Sequence, residues 1–331
     1  MENIFTVPGP VLDDKGRPYP GYSTKSLLRY DRSAIKAPPW RIKEWDFYQV
    51  SDGEKCLQMT IGHASYAGQV SIMLFDFRKG VRLIDKSKLL ALPFGSMHMP
   101  VNTETDHTLS YDKGGAAMSF TVKGDERTLK CRWDDVEADI VLTRANPYSV
   151  VINIPFDESP QAFYYNHKIN SMVASGTVKS KDGEWKFSQG AFGLLDWGRG
   201  VWPFHNEWYW SNGTGLVGGK VFGFNLGRGF GNTSQATENM LFYDGECYKL
   251  GEVDFILGDD VMHPWQIKDK EGRLSFTLTP TYDRTTSTKA LWIDNCCHQM
   301  FGDFSGHADI GGRVLNIDRL PAFAEHAINN W

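Results

Sequence analysis

Ser171-Met-Val-Ala-Ser-Gly-Thr-Val178-Lys-Ser-Lys-Asp182-Gly183-Glu-Trp185-Lys-Phe-Ser-Gln-Gly190 is the stretch that decides the fold class. Two runs rich in β-branched and aromatic residues flank an Asp-Gly pair. Asp-Gly between strand-like runs marks a type I′ hairpin, whose central residues both need φ > 0. Asp244-Gly245 repeats the arrangement between 240–243 and 247–250. Glu271-Gly272 leads into Leu274, Phe276 and Leu278, which alternate with Arg273, Ser275 and Thr277. That period of two gives a strand with one buried face and one wet face. Upstream, 44–50, 56–62, 70–77, 116–122, 129–133 and 138–142 are short aromatic and β-branched segments of the same kind.

The chain is therefore expected to be almost all-β. About twenty strand candidates exceed what one ordinary barrel holds, so two β-barrels or strongly curved sheets in tandem fit better. Residues 1–40, with Pro8, Pro10, Pro18, Pro20, Pro38 and Pro39, read as an extended lead-in. Residues 41–170 then form a first barrel-like domain and 171–331 a second. Two places depart from strand. Residues 85–92 suit one or two helical turns. Leu320, Phe323, Ala324, Ala327, Ile328 and Trp331 form one apolar stripe at helical spacing, with Pro321 suited to a first turn. They predict a short C-terminal helix docked on a sheet.

Composition narrows function. Of 331 residues, 11 are Trp, 13 Tyr and 20 Phe; aromatics suit a pleated sheet and most are expected in the core, with stacking surfaces for a ligand as the alternative for so many Trp. A net charge of −5 without a long basic run argues against nucleic acid as a partner. No run of about 18 apolar residues exists, so stable membrane insertion through a helix is not expected. The first residues lack a basic region followed by an apolar stretch, and reduced cytoplasm is the expected compartment. Cys56, Cys131, Cys247, Cys296 and Cys297 are scattered and odd in number, and the 9 His show no metal-binding spacing. Neither a disulfide framework, a zinc site nor another cofactor is expected. Oligomeric state is open.

The densest chemistry lies in 196–210, where Asp196, Trp197, Arg199, Trp202, His205, Glu207, Trp208, Tyr209 and Trp210 crowd together. Gly198 and Gly200 permit unusual backbone conformations and Pro203 breaks a strand, so 196–203 reads as a sharp loop with Asp196 and Arg199 at a rim. Beyond it His205, Glu207 and Tyr209 share one face of a strand; Asn206, Trp208 and Trp210 share the other. The first set would transfer protons, the second would stack and hydrogen-bond. Equally, Asp196 and Arg199 could pair to pin the loop while the tryptophans fill core. Downstream, Asn225, Arg228 and Glu238 either line a pocket mouth or serve as turn residues. Asp283 belongs to a local Asp–Arg pair or to the same site.

Asp196-Trp-Gly-Arg-Gly-Val-Trp-Pro203, Trp208-Tyr-Trp210, Gly223-Phe-Asn-Leu-Gly227, Ala236-Thr-Glu-Asn239, Lys43-Glu-Trp-Asp46 and Thr279-Pro-Thr-Tyr-Asp-Arg284 resemble a bacterial family known as domain of unknown function 2804. A more distant likeness, around Asp196 and Trp208, is to tandem lipocalin-like (calycin-type) proteins that include carotenoid 1,2-hydratase and AttH-type proteins. That resemblance implies a double barrel with an apolar ligand site near the interface, and Asp196 as a proton donor. Two functions are consistent with the residues. One is a small-molecule enzyme using acid/base chemistry without a redox cofactor: hydratase, isomerase, cyclase, or a lyase or glycoside-cleaving type. Asp196, Glu207, His205 and Tyr209 would be catalytic, and Arg199, Trp197, Trp202, Trp208, Trp210, Asn225, Arg228, Glu238 and Asp283 would bind an apolar or carbohydrate ligand. The other is a non-catalytic protein that binds a lipid or apolar ligand.

Overall fold

The computed structural model describes residues 2–290 and 293–330. These form 24 strands and three one-turn 3-10 segments. Short leading strands β1 (Gly9–Pro10), β2 (Gly21–Ser23) and β3 (Leu28–Arg29) precede β4 (Ile42–Ser51), β5 (Lys55–His63), β6 (Ala67–Asp76) and β7 (Val81–Ala91). There follow β8 (His107–Lys113), β9 (Ala116–Lys123), β10 (Glu126–Trp133), β11 (Val136–Thr143), β12 (Val150–Phe156), β13 (Ser159–Ser180), β14 (Gly183–Phe187) and β15 (Phe192–Val201). The second half contains β16 (His205–Val217), β17 (Lys220–Arg228), β18 (Met240–Tyr243), β19 (Glu246–Lys249), β20 (Val253–Ile256), β21 (Trp265–Asp269), β22 (Leu274–Ala290), β23 (Ile293–Asp309) and β24 (Val314–Asn330).

The strands form two curled, lipocalin-like sheets in tandem. The main path of the first runs β7-β6-β5-β4-β15-β13-β11-β10-β9-β8, with β12, β14 and β2 attached beside it. The second runs β19-β18-β17-β16-β24-β23-β22-β21-β20. Both hairpins form, but only one with the expected turn: Asp244 (φ 53°) and Gly245 (φ 85°) both adopt the left-handed conformation that joins β18 to β19, whereas β13 and β14 turn one residue earlier, at 181–182, with neither residue at positive φ and Gly183 already in β14. The chain crosses between sheets at Trp202-Pro203-Phe204, since β13 and β15 both belong to the first sheet. A division at 170/171 would cut β13. The leading 40 residues are woven into the first sheet's surroundings. β2 pairs with β12, and Val11, Leu28 and Tyr30 are buried in that core.

Each sheet wraps its own apolar core. Tyr48, Met59, Ile72, Phe120, Ile140 and Trp197 belong to the first, and Phe222, Phe224, Trp265, Phe276 and Phe304 to the second. The opposite faces pack against each other through Phe75, Phe77, Leu194, Trp210, Phe301 and Phe323. This double burial explains the failed helix expectation. Residues 320–330 lie in β24, between β16 and β23. Leu320, Ala322 and Ala324 enter the second core while Phe323 faces the first sheet. A strand buried on both faces reads as a nearly continuous apolar run, which periodicity alone cannot distinguish from a helix. Pro321 pairs with Asp303 of β23 just beyond the end of the β16 ladder at Gly213 and Ala322, where a missing N–H does least harm. Trp331, the last residue of the stripe, lies outside the described residues. Residues 85–92 fall almost wholly in β7, paired with β6, instead of forming helical turns.

Candidate functional site

Residues directly opposite on neighbouring antiparallel strands place their side chains on one face, about 5 Å apart. Register therefore builds the site as two cross-strand rows. In the first sheet, Thr60, Phe47, Asp196 and Lys168 lie side by side across β5, β4, β15 and β13. In the second, Arg284, Gln299, Glu325 and Trp210 do so across β22, β23, β24 and β16. The next position, on β17, is Gly227, over which Glu238 is seated; a Cβ there would stand 2.0 Å from Glu238 Oε1. The rows meet around a cavity of about 240 Å³, walled further by Trp45, Tyr164, Trp202, Trp208 and Phe230. The aromatic wall is mutually braced: Trp45–Trp202 centroids lie 5.2 Å apart, Trp208–Phe230 5.0 Å and Tyr164–Phe230 4.7 Å, all edge-on.

The loop expected at 196–203 is instead mostly strand: 196–201 lie within β15. Gly198 is needed for space, not for a left-handed backbone. The indole of Trp45, opposite it on β4, lies flat over it, and an added Cβ would stand 2.1 Å from Trp45 Cζ2. Strand alternation then separates the two residues expected to share a rim. Asp196 faces the cavity, whereas Arg199 is fully buried on the other face. There its guanidinium donates to Asp46 Oδ1 at 2.8 Å, Trp45 O at 2.7 Å and Pro100 O at 2.9 Å, and lies over Trp197. Arg199 is a buried tie between β15, β4 and the 100-loop.

Asp196 accepts three donors: Trp45 Nε1 at 2.9 Å, Asn166 Nδ2 at 2.7 Å and Lys168 Nζ at 3.3 Å. Lys168 also contacts Glu238 Oε2 at 2.6 Å and Asn166 Oδ1 at 2.8 Å. Burial alone would lower the Lys168 ammonium's pKa, but Asp196 and Glu238 together outweigh it and hold the group above its ordinary value, as a cation. Glu238 receives Asn225 Nδ2 at 3.1 Å, and Asn225 Oδ1 accepts from Trp210 Nε1 at 2.8 Å.

Across the cavity, Glu325 accepts from Trp208 Nε1 at 2.7 Å and from Gln299 Nε2 at 3.0 Å. Burial pushes its carboxyl above its ordinary value, outweighing the opposing pull of the Trp208 hydrogen bond and Arg284. Burial also pushes the Tyr164 phenol well up, with Asp196 and Glu238 adding to it. The site thus opposes the Lys168 ammonium, held as a cation beside Asp196 and Glu238, to a Glu325 carboxyl that burial biases toward its neutral form. Such a separation of titratable groups suits acid/base work.

Of the expected residues, Asp196, Trp202, Trp208, Trp210 and Glu238 line the cavity, and Asn225 stands directly behind it. The other seven lie elsewhere. Trp197 is in the first core and Arg199 beside it. His205 bonds Asn330, while Glu207 pairs with His326 at 2.7 Å and Tyr209 stacks on that imidazole at 4.3 Å, on the opposite face of β16 from Trp208. Arg228, exposed, pairs with Asp254, and Asp283 with His298 at 2.7 Å instead of with Arg284. Sequence reading missed Lys168, Glu325, Arg284 and Gln299. A signal existed for the first two: Asn166, Lys168 and Asn170 alternate through an apolar strand, and Glu325 interrupts the run 322–328. Among the described residues no three His, Cys, Asp or Glu converge as a metal site, and no helix is long and apolar enough to cross a membrane.

Two curled sheets in tandem with an aromatic-walled cavity between them define a tandem lipocalin-like protein. The chain belongs to the family termed domain of unknown function (DUF2804), whose model matches residues 2–331. No protein of curated function matches it at a significant level. Among solved structures it is similar to CghA, at 13% identity over 97% of both chains and a TM-score of 0.56; CghA has also been solved with Sch210972. It is similar to a candidate AttH protein from Nitrosomonas europaea, at 12% identity over 90% of this chain and 95% of that one, TM-score 0.53. Kievitone hydratase from Nectria haematococca matches at 10% identity over 87% and 88%, TM-score 0.51. At these identities the likeness is one of fold.

Proposed function

We propose that the chain converts a small, largely apolar molecule by acid/base chemistry in the cavity between its sheets, with Glu325 as proton donor. The observation that carries this is the buried carboxyl of Glu325, oriented by Trp208 and Gln299 and facing the same cavity as the Lys168–Asp196–Glu238 group. A neutral carboxylic acid can protonate a double bond or a leaving oxygen; an ionised carboxylate opposite can stabilise the cation that forms or receive a proton. Addition or loss of water, isomerisation and cyclisation all use these steps. Kievitone hydratase, among the fold's relatives, is named for one of them, and CghA is known with a small molecule bound. Asp196, already accepting three donors, fits the charged role better than the donor role implied by distant resemblance. A pure carrier would need only the aromatic wall, whereas here Lys168, Asp196, Glu238, Arg284 and Glu325 all face the ligand space.

The test is comparative metabolite profiling. Purified protein and its Glu325→Gln variant are each incubated with a cell extract and analysed by mass spectrometry. The wild type should deplete a compound and form a product differing by one water or by nothing in mass, and Glu325→Gln should lose at least about a hundredfold of that rate. Equal conversion by the variant would remove Glu325 from the mechanism. A compound retained by both proteins but altered by neither would favour the carrier.

A further inference from the structure

The charges around the cavity do not balance evenly. At one end Lys168 is shared by Asp196 and Glu238, so that end carries more negative than positive charge. At the other end Arg284 lines the cavity and forms no ion pair within 4 Å among the described residues, acting on Glu325 only from a distance. Its Nε is buried and has no hydrogen-bond partner. The neighbouring Asp283 is unavailable, since it points to the opposite face of β22 and is held by His298. The nearest carboxyl in Arg284's own row is Glu325, but Gln299 on β23 stands between them and donates to Glu325 itself. Two strand spacings of about 4.8 Å separate the Cα atoms of Arg284 and Glu325. Gln299 is fixed from behind as well, accepting from Gln58 Nε2 at 2.7 Å, so it is not free to serve the guanidinium.

Arg284 is half-buried, and its Nε is the part of the guanidinium that has neither solvent nor a protein partner; a donor left so forgoes its hydration without recompense. The side chain lines the cavity, so a ligand there can reach the guanidinium. We propose that the molecule taken by this cavity is a monoanion, an aromatic or alicyclic carboxylic acid, whose carboxylate pairs with Arg284 while its apolar body lies between Phe47, Trp208 and Trp210. The planar guanidinium fork matches a carboxylate in geometry. Arg284 acts on Glu325 only across Gln299 and has no ion pair among the described residues, so one carboxylate suits its end, and the excess carboxylate at the Lys168 end disfavours a second anionic group there. A cationic substrate would be opposed by Arg284, and a neutral one could accept from the guanidinium through an oxygen but would bring no charge to pair with it. This assignment rests on reading the cavity as the ligand site, and it adds the substrate's charge and orientation.

A matched pair of probes separates the two ideas: 1-naphthylacetate and 1-naphthylacetamide, alike in shape but differing in charge, titrated by quenching of tryptophan fluorescence. The wild type should bind the acetate at least about tenfold more tightly than the amide. Arg284→Gln should bring acetate affinity down to that of the amide and leave amide affinity unchanged, and Arg284→Lys should retain part of the preference. Equal affinity of the wild type for both probes, or an equal loss of both in Arg284→Gln, overturns the carboxylate assignment and leaves the cavity standing. Binding of neither probe, or binding unaltered by Trp208→Ala, overturns the ligand site itself and the assignment with it. Should Arg284→Gln melt well below the wild type, comparing acetate with 1-naphthylmethylammonium on the wild type alone decides: tighter binding of the cation refutes the proposal.

Discussion

Lys168→Met offers the sharpest probe of the site's electrostatics. Lys168 Nζ lies 2.6 Å from Glu238 Oε2 and 3.3 Å from Asp196 Oδ1, and the residue is 3% exposed. At an effective dielectric of about 20, those separations correspond to attractions of roughly 6 and 5 kcal/mol. They are offset by the cost of burying three charges, so the net value of the triad is far smaller. Removing the lysine leaves that cost in place and removes the attraction. Asp196 would keep Asn166 and Trp45, and Glu238 only Asn225. Breaking a buried pair in this way costs about 3–5 kcal/mol. For 331 residues unfolding together, the unfolding entropy is roughly 0.7 kcal/mol/K, which converts that loss to about 4–7 °C in Tm. Because Lys168 is held above its ordinary value of 10.5, its contribution is fully present below that pH and lost only as pH rises through the raised folded-state value. The loss in the variant should therefore be constant across the neutral range. The assay is a thermal melt at neutral pH of wild type, Lys168→Met, Glu238→Gln and the double variant. Neutralising Glu238 in the lysine's absence should recover at least about 1 kcal/mol, a clear departure from additivity. A single variant melting within about 1 °C of wild type, or a strictly additive cycle, would refute the triad as described.

Two further outcomes are expected. Glu325, raised by burial, holds its proton more tightly in the folded than in the unfolded state; its stabilising contribution is full below the ordinary value of 4.5 and declines as pH climbs from there through the raised folded value. Glu325→Gln should flatten that decline in a pH series of melts, and an unchanged slope would contradict it. Gly198→Ala should destabilise by about 1–3 kcal/mol, since its methyl would meet the Trp45 ring at 2.1 Å. The displaced indole should also shift tryptophan emission, and a wild-type melt with unaltered fluorescence would show that the ring can move aside freely.

How much of this could be read without tertiary structure differs by element. The hairpin at Asp244-Gly245 was legible because its cause is local: two consecutive residues that tolerate positive φ, flanked by alternating strands. The alternation of Leu274, Phe276 and Leu278 was legible for the same reason, and all three are buried in the second core. Residues 196–201 were misread because the determinant lies on β4, far away in sequence. Gly198 looks like a turn residue until Trp45 is placed against it, and then it is the one residue that fits in a strand there. The C-terminal segment was misread because both its faces are buried, one by its own sheet and one by the other, a situation no periodicity reports.

The composition and turn chemistry of the chain by themselves determined that it is all-β with two curled halves, and that the Trp-rich segment borders something of interest. Which side of each strand looks into the cavity was decided only when the two sheets packed. Packing set Asp196 against Lys168 and turned Arg199 and Glu207 away. It also drew Glu325 and Arg284, both far downstream of the first sheet's last strand at 192–201, into the same space. The physical reason is one of range. Propensity and alternation act between neighbours along the chain, whereas a catalytic or binding constellation is a set of distances between strands whose register is fixed by hydrogen bonds and core burial across the whole fold.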